Sequence, residues 1–167
     1  NLGSGLSALN STDSGNNDNW FFVVEGVTNV WIGGTDTSWA NGANWNLGRA
    51  PIPVDGLIII SNGLNDPLLP SAQTLNGLDV YAGATLGLNG SDLTVNGTVT
   101  ITGTVLATGA RTIDFNDDAT ISGALTLAGT ENVFFAGDVD FTGATVTEAT
   151  SHVFVDGSAV QTLTSGS

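Results

Sequence analysis

The chain lacks cysteine, methionine and lysine, and its only cations are Arg49 and Arg111. Without thiols there is no disulfide framework and no thiolate chemistry, which excludes a small stapled secreted domain and leaves an exported bacterial or a cytosolic chain. Two cations against sixteen acids give a formal charge of −14. Phosphates need a basic stripe to neutralise them, so nucleic acid is not a partner, and an anionic membrane surface is disfavoured for the same reason. No apolar run approaches the roughly twenty residues that cross a bilayer, so membrane insertion is not expected. Catalytic vocabulary is equally thin. His152 is the single imidazole, in a polar Thr150-Ser151-His152 stretch, and no phosphate loop, Cys/His set or Ser/His/Asp arrangement is present. Acids abound, but a pair of them cleaves glycosides only at a defined separation, and a lyase needs a base beside them. The chain therefore reads as a protein that is not an enzyme. It begins at Asn1 with no signal peptide, and reads as a mature or excised piece of a longer precursor.

What the chain does have is a period. Leu93-x-Val95, Ile113-x-Phe115, Val133-x-Phe135 and Val153-x-Val155 recur at steps of twenty residues, followed by Val99-x-Ile101, Ala119-x-Ile121, Val139-x-Phe141 and then Ala159. Gly103, Gly123 and Gly143 keep the same step. Alternation inside each unit, with Gly, Asn and Asp between, is the mark of stacked strands. Twenty residues at about 3.3 Å each trace roughly 66 Å, enough for three short strands and three corners. Thr, Val, Gly and Asp dominate where a helix would need good helix formers. The fold class is all-β, a parallel β-solenoid (β-helix) of three-strand coils, right-handed by the default for parallel crossovers, with an N-terminal cap. Each buried inward side chain contributes about 1.5–3 kcal/mol, so stacked coils offset an entropy that one coil could not. Leu78 and Val80 fall one place out of step, for which a bulge is the expected cause.

Three regions follow from composition. Residues 1–19 are Gly, Ser, Asn, Asp and Thr with few apolar positions and read as a flexible or extended arm. Residues 20–72 hold the tryptophans, two apolar runs (Trp20–Val24 and Val27–Ile32) and a turn-rich loop with Asn62-Gly63 and Asp66-Pro67, and read as a cap with the first strands. Residues 73–167 are the coils. Val30-Trp31-Ile32-Gly33-Gly34, Ser38-Trp39, Asn44-Trp45, Pro51-x-Pro53, Asp55 and Leu57–Ile60, followed by Gly83-Ala84-Thr85-Leu86-x-Leu88 and Leu93-Thr94-Val95-x-Gly97, resemble the opening of large bacterial surface proteins with β-helical bodies, autotransporter passengers and large adhesins among them. That resemblance implies an extracellular or cell-surface protein with a structural or adhesive role, and it carries no catalytic residues.

Ligand sites must lie on the outward columns. Arg111 stands one period below Glu131, an expected surface ion pair of about 0–1 kcal/mol. Thr102, Ser122, Thr142 and Thr162 form a hydroxyl ladder whose simplest role is hydrogen bonding at a turn. The run Thr98-x-Thr100-x-Thr102-x-Thr104 does not persist into the next coil, so a flat ice-binding array is not expected. Asp114, Asp117, Asp118, Asp138, Asp140 and Asp156 gather on the same coils, with Asp118 under Asp138. Two carboxylates about 5 Å apart repel by roughly 1 kcal/mol in water and about 3 at an effective dielectric of 20. A solvated acidic face is the reading, and calcium on Asp114, Asp117, Asp118 and Asp138, which would relieve this repulsion, is the alternative. Trp31, Trp39 and Trp45, with Trp20, are concentrated before the first coil and read as a plug for the front of the solenoid, with a glycan-binding platform as the alternative. Phe134 and Phe154 share an outward column and mark a contact surface, unless a loop or the N-terminal arm covers them.

Solenoids need caps because an end coil exposes apolar side chains and unpaired backbone. Val153 to Leu163 starts a further coil that stops at Ser165-Gly166-Ser167; either the piece is cut from a longer solenoid, or this edge is paired with a neighbouring subunit. Strand addition by Trp20, Phe21, Phe22, Val23 and Val24 of a neighbouring molecule onto Val153 and Val155 would give a head-to-tail filament. The expectation is an extracellular structural protein, the subunit of a surface filament or layer or a module of a large adhesin. The alternative is a glycan-binding module of an adhesin, with calcium as the candidate ion.

Overall fold

The computed structural model describes residues 6–9, 20–23, 26–61 and 64–166. It is an all-β parallel solenoid of about five turns, each of about twenty residues. Leu6–Leu9 (β1) and Trp20–Val23 (β2) form a separate parallel pair. The remainder of the arm, and Val24 of the expected docking run, lie outside the described residues, as do Asn62 and Gly63. Thr28–Trp31 (β3) and Gly56–Ile59 (β4) open the longest sheet. The first regular coil is Gln73–Leu75 (β5), Gly77–Val80 (β6) and Thr85–Gly87 (β7); the second is Leu93–Val95 (β8), Val99–Ile101 (β9) and Thr104–Ala107 (β10). The third is Thr112–Phe115 (β11), Ala119–Ile121 (β12) and Ala124–Leu127 (β13). The fourth is Asn132–Phe135 (β14), Val139–Phe141 (β15) and Thr145–Glu148 (β16), and the last holds His152–Val155 (β17) and Leu163–Ser165 (β18).

Equivalent strands stack into three sheets, ordered β18-β15-β12-β9-β6-β4-β3, β17-β14-β11-β8-β5 and β16-β13-β10-β7. Ile113 pairs with Leu93 below and Val133 above, all in parallel. Because side chains alternate across a strand, the apolar member of each pair turns inward. The columns Leu75-Val95-Phe115-Phe135 and Leu86-Val105-Leu125 are wholly buried. Phe135 contacts Phe115 and Phe141 at centroid spacings of 5.3 and 5.6 Å.

Three expectations on register are corrected. The step at Leu78 is not a bulge: Leu78, Asp79 and Val80 pair without interruption with Val99, Thr100 and Ile101. The slip is taken up in the corner, where Asn76-Gly77 is one residue shorter than Asn96-Gly97-Thr98. Gly143 does not continue the tight corner of Gly103 and Gly123. A Cβ on Gly123 would lie 2.0 Å from the Gly103 carbonyl oxygen, whereas Gly143 has φ +82° and room around it. The longer turn there lets Leu125 pair with Val146 rather than Thr145. Ala159 does not stand on Val139 either, because Leu163 does. Residues 157–162 loop outward instead, held by Gln161, whose amide donates to the carbonyls of Phe135 (2.9 Å) and Gly137 (2.6 Å) and accepts from the Gly157 N–H. Thr162 is thereby moved off Thr142 onto Asp138 and leaves the expected hydroxyl ladder.

Candidate functional site

The two ends of the solenoid differ chemically. At the front, Trp31, Trp39 and Trp45 are buried and pack edge to face, with centroids 5.0 and 4.9 Å apart. Trp45 Nε1 donates to the Trp39 carbonyl and Trp31 Nε1 to that of Asn65. The burial of Trp31, Trp39 and Trp45 agrees with the plug and leaves the alternative, a glycan platform, no exposed ring face among them. The 3-10 turn Gly42–Asn44 presents Asn44, whose Oδ1 accepts from the Thr35 N–H and hydroxyl and whose Nδ2 donates to Asp36 at 2.6 Å. Hydrogen bonds from the Ser38 N–H and from Asn44 hold the Asp36 carboxyl below its ordinary range.

The same segment seals the outer edge of β3. Asn46 accepts from the Val30 N–H through Oδ1 at 2.7 Å and returns its own N–H to the Val30 carbonyl, and the Ile32 N–H donates to the Asn44 carbonyl. Behind it lies the ion pair Arg49–Asp55, at 2.6 Å, with Asp55 wholly buried. Burial alone would push the Asp55 carboxyl up; Arg49 and the N–H groups of Ile52 and Val27 outweigh it and hold the carboxyl below its usual range. The front edge of β7 is covered too: Leu68 bridges to Gly87 on one side and Ser38 on the other.

At the back, β16, β17 and β18 each pair on one side only among the described residues. The side chains that continue the inward columns there, Val146, Val153, Val155 and Leu163, are 41, 40, 46 and 58 % exposed, whereas their partners one coil below, Leu125, Val133, Phe135 and Val139, are buried. On the outer face of β17, Phe154 stacks on Phe134 with centroids 4.8 Å apart and 13° between the rings, and His152 lies 6.2 Å from Phe154. Asp114 continues that column below Phe134. Its burial, then the charge of Asp156, raise its pKa above the ordinary carboxylate value.

The acids proposed for calcium do not converge. Asp114 projects from the sheet of β11, while Asp117 turns back to accept the Asp118 N–H. Asp118 and Asp138 are already used as backbone caps: Asp118 Oδ1 accepts the Asp138 N–H at 2.9 Å, and Asp138 Oδ1 accepts the Thr162 N–H at 2.7 Å. Asp92 does the same for Thr112. Asp140 is held below its ordinary pKa by the Thr142 hydroxyl and N–H. Among the described residues no group of three or more His, Cys, Asp or Glu is placed to hold a metal ion.

Arg111 and Glu131 do not pair. Their backbones are in register, the Asn132 N–H donating to the Arg111 carbonyl at 2.8 Å, but Arg111 is exposed and Glu131 is fully buried. Glu131 Oε2 accepts from the Ser151 hydroxyl at 2.6 Å and the Gly129 N–H at 2.9 Å. The corner turns one side chain in and the other out. Two further features carry a sequence signal that the search for ligands passes over. Asn76, Asn96 and Asn116 recur at the coil period, and Asn116 Nδ2 donates to Asn96 Oδ1 at 3.1 Å. Glu148 and Ser165 fall in the inward register above Leu127 and Phe141. Compared with known proteins, the chain matches no protein-family model, no curated protein and no solved structure.

Proposed function

We propose that the protein is an extracellular structural module, of the kind found in surface filaments, layers or large adhesins, that associates through the strand edges of its last coil. The observation that carries this reading is the exposure of Val146, Val153, Val155 and Leu163 in positions whose partners one coil below are buried. Among the described residues this coil leaves both apolar area and a row of backbone donors and acceptors for a further coil or another chain to cover. A cysteine-free, acidic chain and the surface-protein pattern of residues 30–106 support the location. The buried tryptophans, and the use of Asp117, Asp118 and Asp138 as acceptors for backbone N–H groups, weigh against the alternative of a calcium-dependent glycan site.

Sedimentation velocity over about 1 μM to 1 mM, with negative-stain images at the top of the range, tests the association. Growth of the sedimenting species with concentration is expected, and the paired change Val153→Asp and Val155→Asp should abolish it without altering the far-UV circular dichroism. A monomer throughout the range defeats the reading.

A further inference from the structure

Ser91, Arg111, Glu131 and Ser151 stand at equivalent places in successive coils, at the corner that precedes β8, β11, β14 and β17. Glu131 is wholly buried there, Ser91 and Ser151 are each 9 % exposed, and Arg111 alone turns out. Glu131 Oε2 is satisfied by the Ser151 hydroxyl at 2.6 Å and the Gly129 N–H at 2.9 Å. The first of these has the length of a charge-assisted O–H···O bond. Oε1 is buried too, and has no hydrogen-bond partner among the described residues. Two other buried side-chain atoms share that condition, Asn29 Oδ1 and Trp39 Nε1, but both belong to neutral groups. Asp55, also wholly buried, is paired with Arg49. Glu131 thus takes a formal charge into the interior with nothing of opposite sign beside it.

No cationic side chain of the protein fills that role. The sequence holds two arginines, one histidine and no lysine. Arg49 is taken by Asp55. Arg111 is exposed, its guanidinium passing over Gly90 in the coil below, and His152 is exposed beside the ring of Phe154. A buried carboxylate without compensation is among the costliest features a fold can carry. Because Glu131 has no exposed surface, a macromolecular partner cannot reach it, and the compensating species must be small. We propose that Glu131 Oε1 binds one monovalent metal cation, sodium or potassium, at this corner. The donors are hard oxygens, as such ions require: the carboxylate, and the Ser151 hydroxyl, which gives its proton to Oε2 and keeps its lone pairs. Charge selects the valence. One carboxylate balances one positive charge, whereas a divalent ion would leave a net positive charge in the interior. Divalent ions are held by several charged ligands, and among the described residues no three acids or imidazoles come together.

Thermal unfolding of the full chain tests the site. Sodium, potassium and tetramethylammonium chlorides are compared at one ionic strength of about 0.15 M, so that screening of the surface acids is common to all three. Sodium or potassium should raise the Tm by about 4 °C or more over tetramethylammonium, which is too bulky for a closed corner, and the Tm should climb further with the logarithm of the favoured ion's concentration. Glu131→Gln keeps the shape of the side chain and every surface acid but removes the buried charge, and should bring the three salts to the same Tm. Ser151→Ala leaves the carboxylate in place and should raise the cation concentration needed for a given shift about tenfold; it serves as the second variant if Glu131→Gln does not fold. Equal Tm values for the parent in the three salts overturn the site, as does a sodium or potassium effect that survives Glu131→Gln or is unmoved by Ser151→Ala. A rise with calcium chloride that Glu131→Gln abolishes overturns the monovalent assignment.

Discussion

At the residue scale, polar groups of this chain are spent on closing its own backbone. Asp92, Asp118 and Asp138 each reach one coil upward to an N–H, and Asn46 imitates a strand neighbour for Val30. Asp55 is the costliest of them, because its carboxylate is wholly buried. Replacing Arg49 by Met strands that charge. Breaking a buried pair costs about 3–5 kcal/mol, and the partial exposure of Arg49 reduces the expected loss to about 2 kcal/mol in urea unfolding at pH 7. The sign with pH follows from the depressed folded pKa: Asp55 contributes stability above its unfolded value, and that contribution disappears as pH falls through the folded one. The gap between Arg49→Met and the parent should therefore narrow in acid. Asp114 has the opposite sign. Its raised pKa means that its charge opposes folding at neutral pH and that falling pH relieves the cost. Asp114→Asn should raise the Tm at pH 7 by an amount worth less than about 1 kcal/mol, and the gain should vanish in acid. The aspartates were legible in the sequence as a column; their use was not, since the same spacing serves an ion or an N–H group one coil on.

At the scale of the element, strands and corners obey different rules. Within a strand the pleat fixes which side chain turns in, so Ile113, Phe115, Ile121 and Val133 could be placed in the core from alternation alone, and they are buried. At a corner the backbone changes direction, and the outcome depends on what the coil below allows. Arg111 and Glu131 occupy equivalent positions and still face opposite ways. The glycine corners illustrate the same dependence. Gly123→Ala forces a Cβ into the Gly103 carbonyl oxygen, backbone against backbone, and should cost about 3 kcal/mol. Gly143→Ala meets nothing closer than 3.8 Å and bears only the left-handed conformation, about 1–2 kcal/mol. Thermal unfolding should rank Gly123→Ala well below Gly143→Ala, although both lie on the same twenty-residue step.

At the scale of the molecule, the solenoid is polar: its front is plugged by three tryptophans and sealed along β3, and its back leaves one apolar strand, β17, flanked by strands that carry Glu148 and Ser165 inward. On the proposed association through the edges of this coil, Glu148→Val and Ser165→Val together should shift sedimentation toward larger species at a given concentration. The sequence by itself determined the period, the three-strand coil and the inward columns, because stacked parallel strands demand that like side chains recur at one fixed step. Only the tertiary structure decided the lengths of the corners at Asn76 and Gly143, the four-residue displacement that puts Leu163 rather than Ala159 on Val139, and the burial of Glu131. Each of these turns on how one coil closes against the coil beneath it. That is a matter of contact between residues far apart in the chain, which no local spacing encodes.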